Sequence, residues 1–406
     1  MNILISVFGL AFLILIHEAG HFYASLAVGM RPRSFNIGFG PPLVKVRRRG
    51  IDYAVRAIPL GGYVKIPGMH RPAPGDVDIA FGRAMRASPE LVGPAERLRR
   101  ALATDDLSSA RERLGELEQR AGELGVEDIG KPISDMQDAL APEAYWRQPT
   151  WSRIAAILAG PAANLAFAVV IFAAIFMFAA VTATTTVDKI LPRRPAAAAG
   201  LRPGDRVVVI KVGSKHVFVN DPSQITETIS QSRGDPVQLV VWRNNAPRPL
   251  RPVRPKLDNG VYRLGFQLKV KTESLGVGES FWRSFKLTGV VARETVKSLG
   301  RIVHKSGRDQ ISSPVGIVRE SSRAAQHGWE SYLGVLGFIS LSLGLLNLLP
   351  LLPLDGGHIA FSLIEGVRGR ALRREVYERV SAVGIALVLL LFIVGLSNDV
   401  GRLGGG

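Results

Sequence analysis

Four long apolar runs constrain this chain more than any other feature of its sequence. They cover roughly residues 3–30, 154–181, 332–354 and 380–396. A helix needs about 20 apolar residues to cross a bilayer; the first two runs exceed this length, prolines interrupt the third, and the fourth is just long enough. The alternative is four helices buried in a soluble core, but runs this poor in charge are rare there. The sequence predicts a polytopic α-helical membrane protein with four transmembrane helices.

The charges beside these runs predict an orientation. The net charge is +17, but no nucleic-acid-binding motif accompanies it, so no nucleic-acid partner is expected. The basic residues instead cluster in short loops, at 45–50 and 368–375. Such loops stay cytoplasmic, which puts segment 182–331 and both termini outside. The N-terminus lacks a basic stretch before its apolar run, so we expect the first helix to be retained and not cleaved as a signal peptide.

The first apolar run contains the sequence HEAGH, residues 17–21. His17 and His21 are four residues apart and share one face of a helix. Two imidazoles so placed can hold one Zn²⁺, with Glu18 beside it as a general base. Ionisable groups in a membrane are costly and persist where they are paired, bound to metal or functional. We therefore predict a zinc site here; coincidence or a simple proton relay is the alternative.

A third ligand is predicted in the third run, in NLLPLLPLDGGH at 347–358. The chain has no cysteine, which excludes thiolate ligands. Two prolines break the helix and two glycines free the backbone, so Asp355 is interpreted as the third ligand. Two alternatives stay open, in which Asp355 only caps a helix or His358 is the ligand.

The segments between the runs predict three further elements. Residues 34–68 read as strands around a turn at Leu60, Gly61 and Gly62, which would form a small sheet at the membrane surface. Residues 93–147 carry a narrow apolar stripe at helical spacing and predict a cytoplasmic helical insertion, the alternative being a charged, partly ordered linker. Residues 187–270 predict a soluble β-rich domain with one short helix.

The segment that follows this domain alternates apolar and basic residues. This pattern over 274–310 favours a helix lying at the membrane interface, and a solvated connecting helix is the alternative.

The motifs, in this order along the chain, resemble the site-2 protease family of intramembrane zinc metalloproteases, in its bacterial RseP-type branch with a single PDZ domain. The resemblance is carried by HEAGH and by five stretches that follow it: PLGGYVKIPG (59–68), AGPAANL (159–165), GLRPGD (200–205), SSPVGIV (312–318) and NLLPLLPLDGG (347–357). The helical insertion is not part of the family pattern.

The resemblance completes the predicted organisation. The fold class is four transmembrane helices with a membrane-associated β-hairpin or sheet and an inserted extracytoplasmic PDZ-like α+β domain. The predicted domains are the first transmembrane helix (1–30), the β-sheet region (31–70), the helical insertion (71–150), the second transmembrane helix (151–182), the PDZ-like domain (185–272), the interfacial linker (273–330), the third transmembrane segment (331–365) and the fourth transmembrane helix (376–398).

The resemblance also implies the chemistry and the partners. Zn²⁺ would be held by His17, His21 and Asp355, and Glu18 would move the proton in peptide-bond hydrolysis. Substrates would be single-pass membrane proteins, such as anti-sigma factors, already cut once by another protease. The residues expected to bind the unwound substrate are Asn347, Asn164, Gly61, Gly62 and Tyr63. Hydrogen bonds between helices are the alternative role for the two asparagines.

The expected location is the bacterial inner membrane, with both termini and the PDZ-like domain outside the cytoplasm and the active site near the cytoplasmic face. The PDZ-like domain would either bind a peptide C-terminus or exclude untrimmed substrates. Two other functions stay open. One is an inactive membrane scaffold that binds partners through its PDZ-like domain, and the other is a cation transporter.

Overall fold

A computed structural model describes residues 2–258, 260–303, 313–372 and 374–404. The helices are α1 (Asn2–Ala27), α2 (Pro74–Ala87), α3 (Val92–Ala103), α4 (Leu107–Glu123), α5 (Gly130–Leu140), α6 (Thr150–Ala179), α7 (Pro195–Ala198), α8 (Pro222–Gln231), α9 (Val277–Val303), α10 (Pro314–Gln326), α11 (Trp329–Asn347), α12 (Asp355–Arg368) and α13 (Arg374–Gly404). The strands are β1 (Ser34–Arg48), β2 (Ile51–Lys65), β3 (Ala180–Ile190), β4 (Arg206–Val212), β5 (Lys215–Phe218), β6 (Val237–Arg243), β7 (Ala246–Pro249), β8 (Lys256–Asp258), β9 (Val261–Arg263) and β10 (Phe266–Glu273).

Within these residues, four helices are long and apolar enough to cross a membrane. They are Ile3–Ala27, Thr150–Ala179, Trp329–Asn347 and Val376–Asp399. The prediction of four apolar helices of spanning length is thereby confirmed. The third helix ends at Asn347 and the chain becomes helical again at Asp355. The break contains Pro350 and Pro353, whose rings cannot continue a helix.

The chain divides into two compact units. Unit 1 contains residues 1–172 and 281–406, and unit 2 contains residues 173–280. Unit 1 holds α1, the β1–β2 sheet, helices α2 to α5 and helices α10 to α13. The helix predicted over 274–310 is present as α9. The last residues of the predicted segment, 304–310, lie outside the described residues.

The β1–β2 sheet differs from the predicted hairpin. The segments on either side of Gly61 do not form a hairpin with each other, because both align with the start of β1. Residues 34–37 align with residues 52–55 and also with residues 62–65. The chain reverses direction at Arg49 and Gly50, and the second half of β1 folds back along residues 51–56. Residues 62–65 therefore form an edge of this sheet.

The segment predicted as a helical insertion is folded into helices and is not an unstructured charged linker. Helices α2 to α5 enclose one apolar core, in which the predicted stripe on α4 is central. Its fully covered side chains include Phe81, Leu91, Leu98, Leu114 and Leu117. Asp106 caps α4 by accepting a hydrogen bond from the backbone N–H of Ser109.

Unit 2 is an α+β unit built on a six-stranded sheet. The strand order is β10-β3-β4-β6-β7, with β5 paired to β4. Inward-facing residues such as Val207, Ile210 and Leu239 pack with Ile225 and Ile229 of α8. The β-strands and the short helix predicted within residues 187–270 are present, the helix as α8.

The GLRPGD turn of unit 2 has a structural role. Asp205 is buried and accepts hydrogen bonds from the Arg202 backbone N–H at 2.8 Å and from the Arg243 guanidinium at 2.5 and 2.6 Å. Because Arg243 belongs to β6, these bonds attach the turn to the sheet.

Candidate metal centre

Two ligand candidates lie one turn apart on α1, and the third begins α12. The imidazoles of His17 and His21 are buried, and their Nε2 atoms are 3.2 Å apart. The carboxylate Oδ2 of Asp355 lies 3.1 Å from His17 Nε2 and 3.3 Å from His21 Nε2. Among the described residues these three side chains form a group suited to hold one metal ion. The structure thus brings together residues that are more than 330 positions apart in sequence.

Helix α6 fixes the orientation of both imidazoles. His21 donates its Nδ1 hydrogen to the backbone carbonyl of Ala156 at 3.0 Å, so its Nε2 keeps a free lone pair. The side-chain amide of Asn164 lies 3.3 Å from His17 Nδ1. Amide oxygen and nitrogen are not distinguished by their positions. The amide atom placed toward Nδ1 is Nδ2. If the two amide atoms of Asn164 are exchanged, its oxygen accepts from His17 Nδ1 and the Nε2 lone pair of His17 faces the site.

The three convergent atoms fit a cation. Once Nδ1 of each histidine carries the hydrogen, both Nε2 atoms present lone pairs to Asp355. The Oδ2 atom of Asp355 is buried and has no hydrogen-bond partner within the described chain. Three lone-pair atoms within 3.3 Å of one another repel unless a positive charge sits between them. Two imidazole nitrogens and one carboxylate oxygen are a donor set typical of catalytic zinc sites.

Two glycines let α1 and α6 approach closely enough for these contacts. A Cβ atom on Gly160 would lie 2.2 Å from His21 Nε2, and one on Gly20 would lie 2.3 Å from the Ala159 carbonyl oxygen. Any larger residue at either position would push the helices apart or displace the imidazole. Gly160 is part of the AGPAANL stretch, in which sequence reasoning selected only Asn164.

Glu18 faces the edge of the β1–β2 sheet. Its carboxylate is buried and accepts a hydrogen bond from the backbone N–H of Val64. The approach depends on Gly62, where a Cβ atom would lie 2.9 Å from Glu18 Cγ. Gly61 has a φ of 128° and lies against the ring of Phe39, where a Cβ atom would clash at 2.1 Å. Because Gly61 and Gly62 have no side chain, the edge strand can lie directly beside Glu18.

A cavity of about 420 Å³ opens onto the three ligand candidates and Glu18. Of the five residues predicted to bind substrate, four line it: Gly61, Gly62, Tyr63 and Asn347. Asn164 is fully buried behind His17 and is not among the lining residues. His358 lines the cavity but stands outside the cluster of three ligand atoms. The geometry therefore favours Asp355 over His358 as the third ligand.

Comparison with known proteins places this site in a family. The sequence profile described as peptidase family M50 matches residues 5–391. The chain belongs to peptidase family M50. This is the site-2 protease family, so the predicted family is confirmed. The predicted enzyme class, a zinc metalloprotease, is confirmed with it.

Similar proteins match this M50 peptidase over nearly its whole length. A zinc metalloprotease RasP from Bacillus licheniformis is 30% identical over 412 residues, covering 96% of each chain. A zinc metalloprotease RasP from Geobacillus kaustophilus is 29% identical, covering 98% of this chain and 96% of its own. A putative zinc metalloprotease from Brucella suis is 27% identical, covering 97% of this chain and 93% of its own.

A buried ion pair in this M50 peptidase fixes α12, the helix that begins at Asp355. The sequence analysis did not predict this ion pair. Arg153 on α6 and Glu365 on α12 form a buried ion pair at 2.5 Å. Glu365 also accepts a hydrogen bond from the backbone N–H of Leu372 at 2.8 Å, and the Arg153 guanidinium lies over the ring of Tyr145. The only sequence signal was a lone charge at the border of an apolar run. Helix α6 thus contacts both helices that carry ligand candidates, α1 and α12.

Proposed function

We propose that His17, His21 and Asp355 hold a zinc ion, and that the protein uses it to hydrolyse peptide bonds in or near membrane-spanning segments. The observation that carries this proposal is the convergence of two imidazole nitrogens and one carboxylate oxygen on one point, with the tautomer of His21 set by a backbone carbonyl of α6. A bound zinc would supply a coordinated water of lowered pKa and polarise the scissile carbonyl.

Glu18 acts as the general base. It follows His17 in α1 and lines the same cavity as the ligands. A carboxylate in this position takes a proton from the attacking water and returns it to the leaving amine. Its hydrogen bond to Val64 N–H holds the carboxylate on the side of the cavity where the edge strand runs.

The substrates are single-pass membrane proteins bound in extended form. A helical segment hides its carbonyls in internal hydrogen bonds, so it must unwind before cleavage. Residues 62–65 form an edge of the sheet, and Gly62, Tyr63 and Val64 of this edge line the cavity. An extended peptide can add to such an edge. Asn347, at the end of α11, is placed to hydrogen-bond the unwound backbone. Asn164 is buried, and its supported role is the orientation of His17.

The physiological substrate is a signalling factor, such as an anti-sigma factor, already shortened by another protease. Unit 2 acts as a PDZ-like domain outside the cytoplasm, and both termini lie on the same side. A groove of about 320 Å³ supports peptide binding there; it is lined by α8 and by residues 261–268, and not by the GLRPGD turn. The active site faces the cytoplasm.

The alternatives fit the site less well. An inactive scaffold would be expected to have lost a ligand or the base, yet all four residues are present and clustered in one cavity. A cation transporter has no use for a general base beside an exposed strand edge.

Cleavage by the purified protein tests the proposal. The detergent-purified chain is incubated with a single-span substrate, stripped with a chelator, and then given zinc again, while products are identified by mass. We expect cleavage inside or next to the span, loss with the chelator and recovery with zinc. Cleavage that persists in metal-free protein, or transport of zinc without any cleavage, would refute the proposed function.

A further inference from the structure

A second cavity, larger than the one at the ligands, lies where the helical insertion meets the edge strand. It has a volume of about 610 Å³, within the range of about 300–1,000 Å³ typical of ligand pockets. One wall is the end of β2 and the loop after it, and the other is formed by α2 and α5. We call it the insertion cleft. Its lining from the insertion includes Ile79, Ala80, Pro132, Asp135 and Met136.

The insertion cleft is continuous with the cavity at the ligands. Four residues line both: Tyr63, Val64, Ile66 and Met69. The shared residues belong to the edge strand and the loop that follows it. A peptide paired with residues 62–65 and continued in the direction of Met69 would therefore run directly into the insertion cleft.

The wall of the insertion cleft that the insertion provides is attached to the end of β2 by ion pairs and backbone hydrogen bonds. The buried Asp138 of α5 binds Arg33 at 2.6 Å and Lys65 at 3.0 Å, and Lys65 also binds Asp135 at 2.8 Å. Burial opposes the charge of Lys65, but the hydrogen bonds to these carboxylates raise its pKa overall. The backbone N–H of Tyr145 donates to Pro67 O at 2.9 Å. These contacts make the wall a fixed part of unit 1.

The insertion cleft offers an apolar contact to an extended chain, beside charged lining residues that include Lys131 and Asp76. The carboxylates of Asp135 and Asp138 are already neutralised by cations of this protein. Ile79, by contrast, is 67% exposed although it is a large apolar residue. An exposed aliphatic side chain beside an open strand edge provides an apolar surface that a side chain of a bound peptide can contact.

We propose that the insertion cleft binds the part of the substrate that extends from the scissile bond past the edge strand, with an apolar substrate side chain against Ile79. This deepens the proposed function and depends on it for the identity of the occupant. The helical insertion then selects substrates by the residues on one side of the cleaved bond. This gives the insertion a direct part in substrate recognition.

Cross-linking tests the placement. The chain has no cysteine, so Ile79→Cys supplies a single thiol without background. The control is Val92→Cys, which lies on the same insertion, is 49% exposed and does not line the insertion cleft. Both are made with Glu18→Gln to keep the substrate whole, and the substrate carries one cysteine at successive positions on both sides of the bond. We expect Ile79→Cys to link to one contiguous stretch on one side only.

Kinetics tests the contribution to recognition. We compare kcat/KM for a long substrate with kcat/KM for a substrate truncated just beyond the scissile bond. The ratio of the long to the truncated substrate should be roughly tenfold lower in Ile79→Glu than in the wild type, because an apolar contact is lost. Val92→Glu should leave this ratio as in the wild type. Equal ratios in the two variants, or links from Ile79→Cys no stronger than from Val92→Cys, would overturn the inference. If the wild type cleaves no substrate, the proposed function fails. Cross-linking to the uncleaved substrate then still shows whether the substrate binds in the insertion cleft.

Discussion

The imidazole of His21 donates a hydrogen bond from Nδ1 to the backbone carbonyl of Ala156, across the interface between α1 and α6. The bond leaves the Nε2 lone pair directed at Asp355. It also makes the metal site sensitive to the separation of two helices, because the acceptor is part of the α6 backbone. Substitutions that touch this interface should therefore change metal binding without touching a ligand.

Gly160→Ala should weaken zinc binding. The added Cβ atom would lie 2.2 Å from His21 Nε2, so the imidazole or the helix must move. Changes beside metal ligands typically cost about 10- to 100-fold in affinity, and we expect a loss in this range, measured by competition with a chromogenic chelator. Gly334→Ala is the matched control, since nothing lies within 4 Å of a Cβ atom there. Unchanged affinity in Gly160→Ala would contradict the close approach of the two helices.

Glu18→Gln should keep zinc and lose cleavage. The amide preserves the size of the side chain but cannot accept the proton of the attacking water. We expect zinc content equal to the wild type, by elemental analysis of the purified protein, with product formation reduced at least about 100-fold. Activity near that of the wild type would remove Glu18 from the role of general base.

Asp355→Asn should lower zinc retention through dialysis, because a neutral amide is a poorer zinc ligand than a carboxylate. His358→Asn is the matched comparison, since His358 lines the cavity outside the ligand cluster. We expect metal content to fall in the first variant and to stay in the second. The reverse result would assign the third ligand to His358.

Asn164→Leu should separate the two roles considered for this residue. If the amide orients His17, its loss lowers zinc affinity by about 10- to 100-fold, while KM at saturating zinc stays near the wild-type value. If the amide binds substrate, KM rises and zinc affinity is unchanged. We expect the first pattern, because Asn164 is fully buried and lies 3.3 Å from His17 Nδ1.

Breaking the Arg153–Glu365 pair should destabilise the protein. Removal of one partner from a buried ion pair costs about 3–5 kcal/mol, because the other charge is left without compensation. Arg153→Met and Glu365→Gln should each lower the thermal midpoint in detergent, and the double variant should recover part of that loss. Single variants as stable as the wild type would show that this contact does not anchor α12.

The membrane spans and the chemistry of the site were predictable from local patterns. Runs of about 20 apolar residues have few folding solutions outside a membrane, and HEAGH fixes the spacing of two ligands within one helical turn. Asp355 was predictable because a carboxylate at a broken apolar helix needs a function. The helical character of the insertion and the β-rich character of unit 2 followed from local patterns in the same way.

Contacts between distant segments were decided by packing alone. The two halves of β2 were expected to pair with each other, but both pair with β1 because register depends on which backbone edge is free, which periodicity does not encode. Likewise, the contact of Gly160 with His21 and the docking of Asp138 on Lys65 join residues far apart in sequence. A lone glycine or aspartate carries no local signal of its partner, since the partner is determined only when the chain has folded.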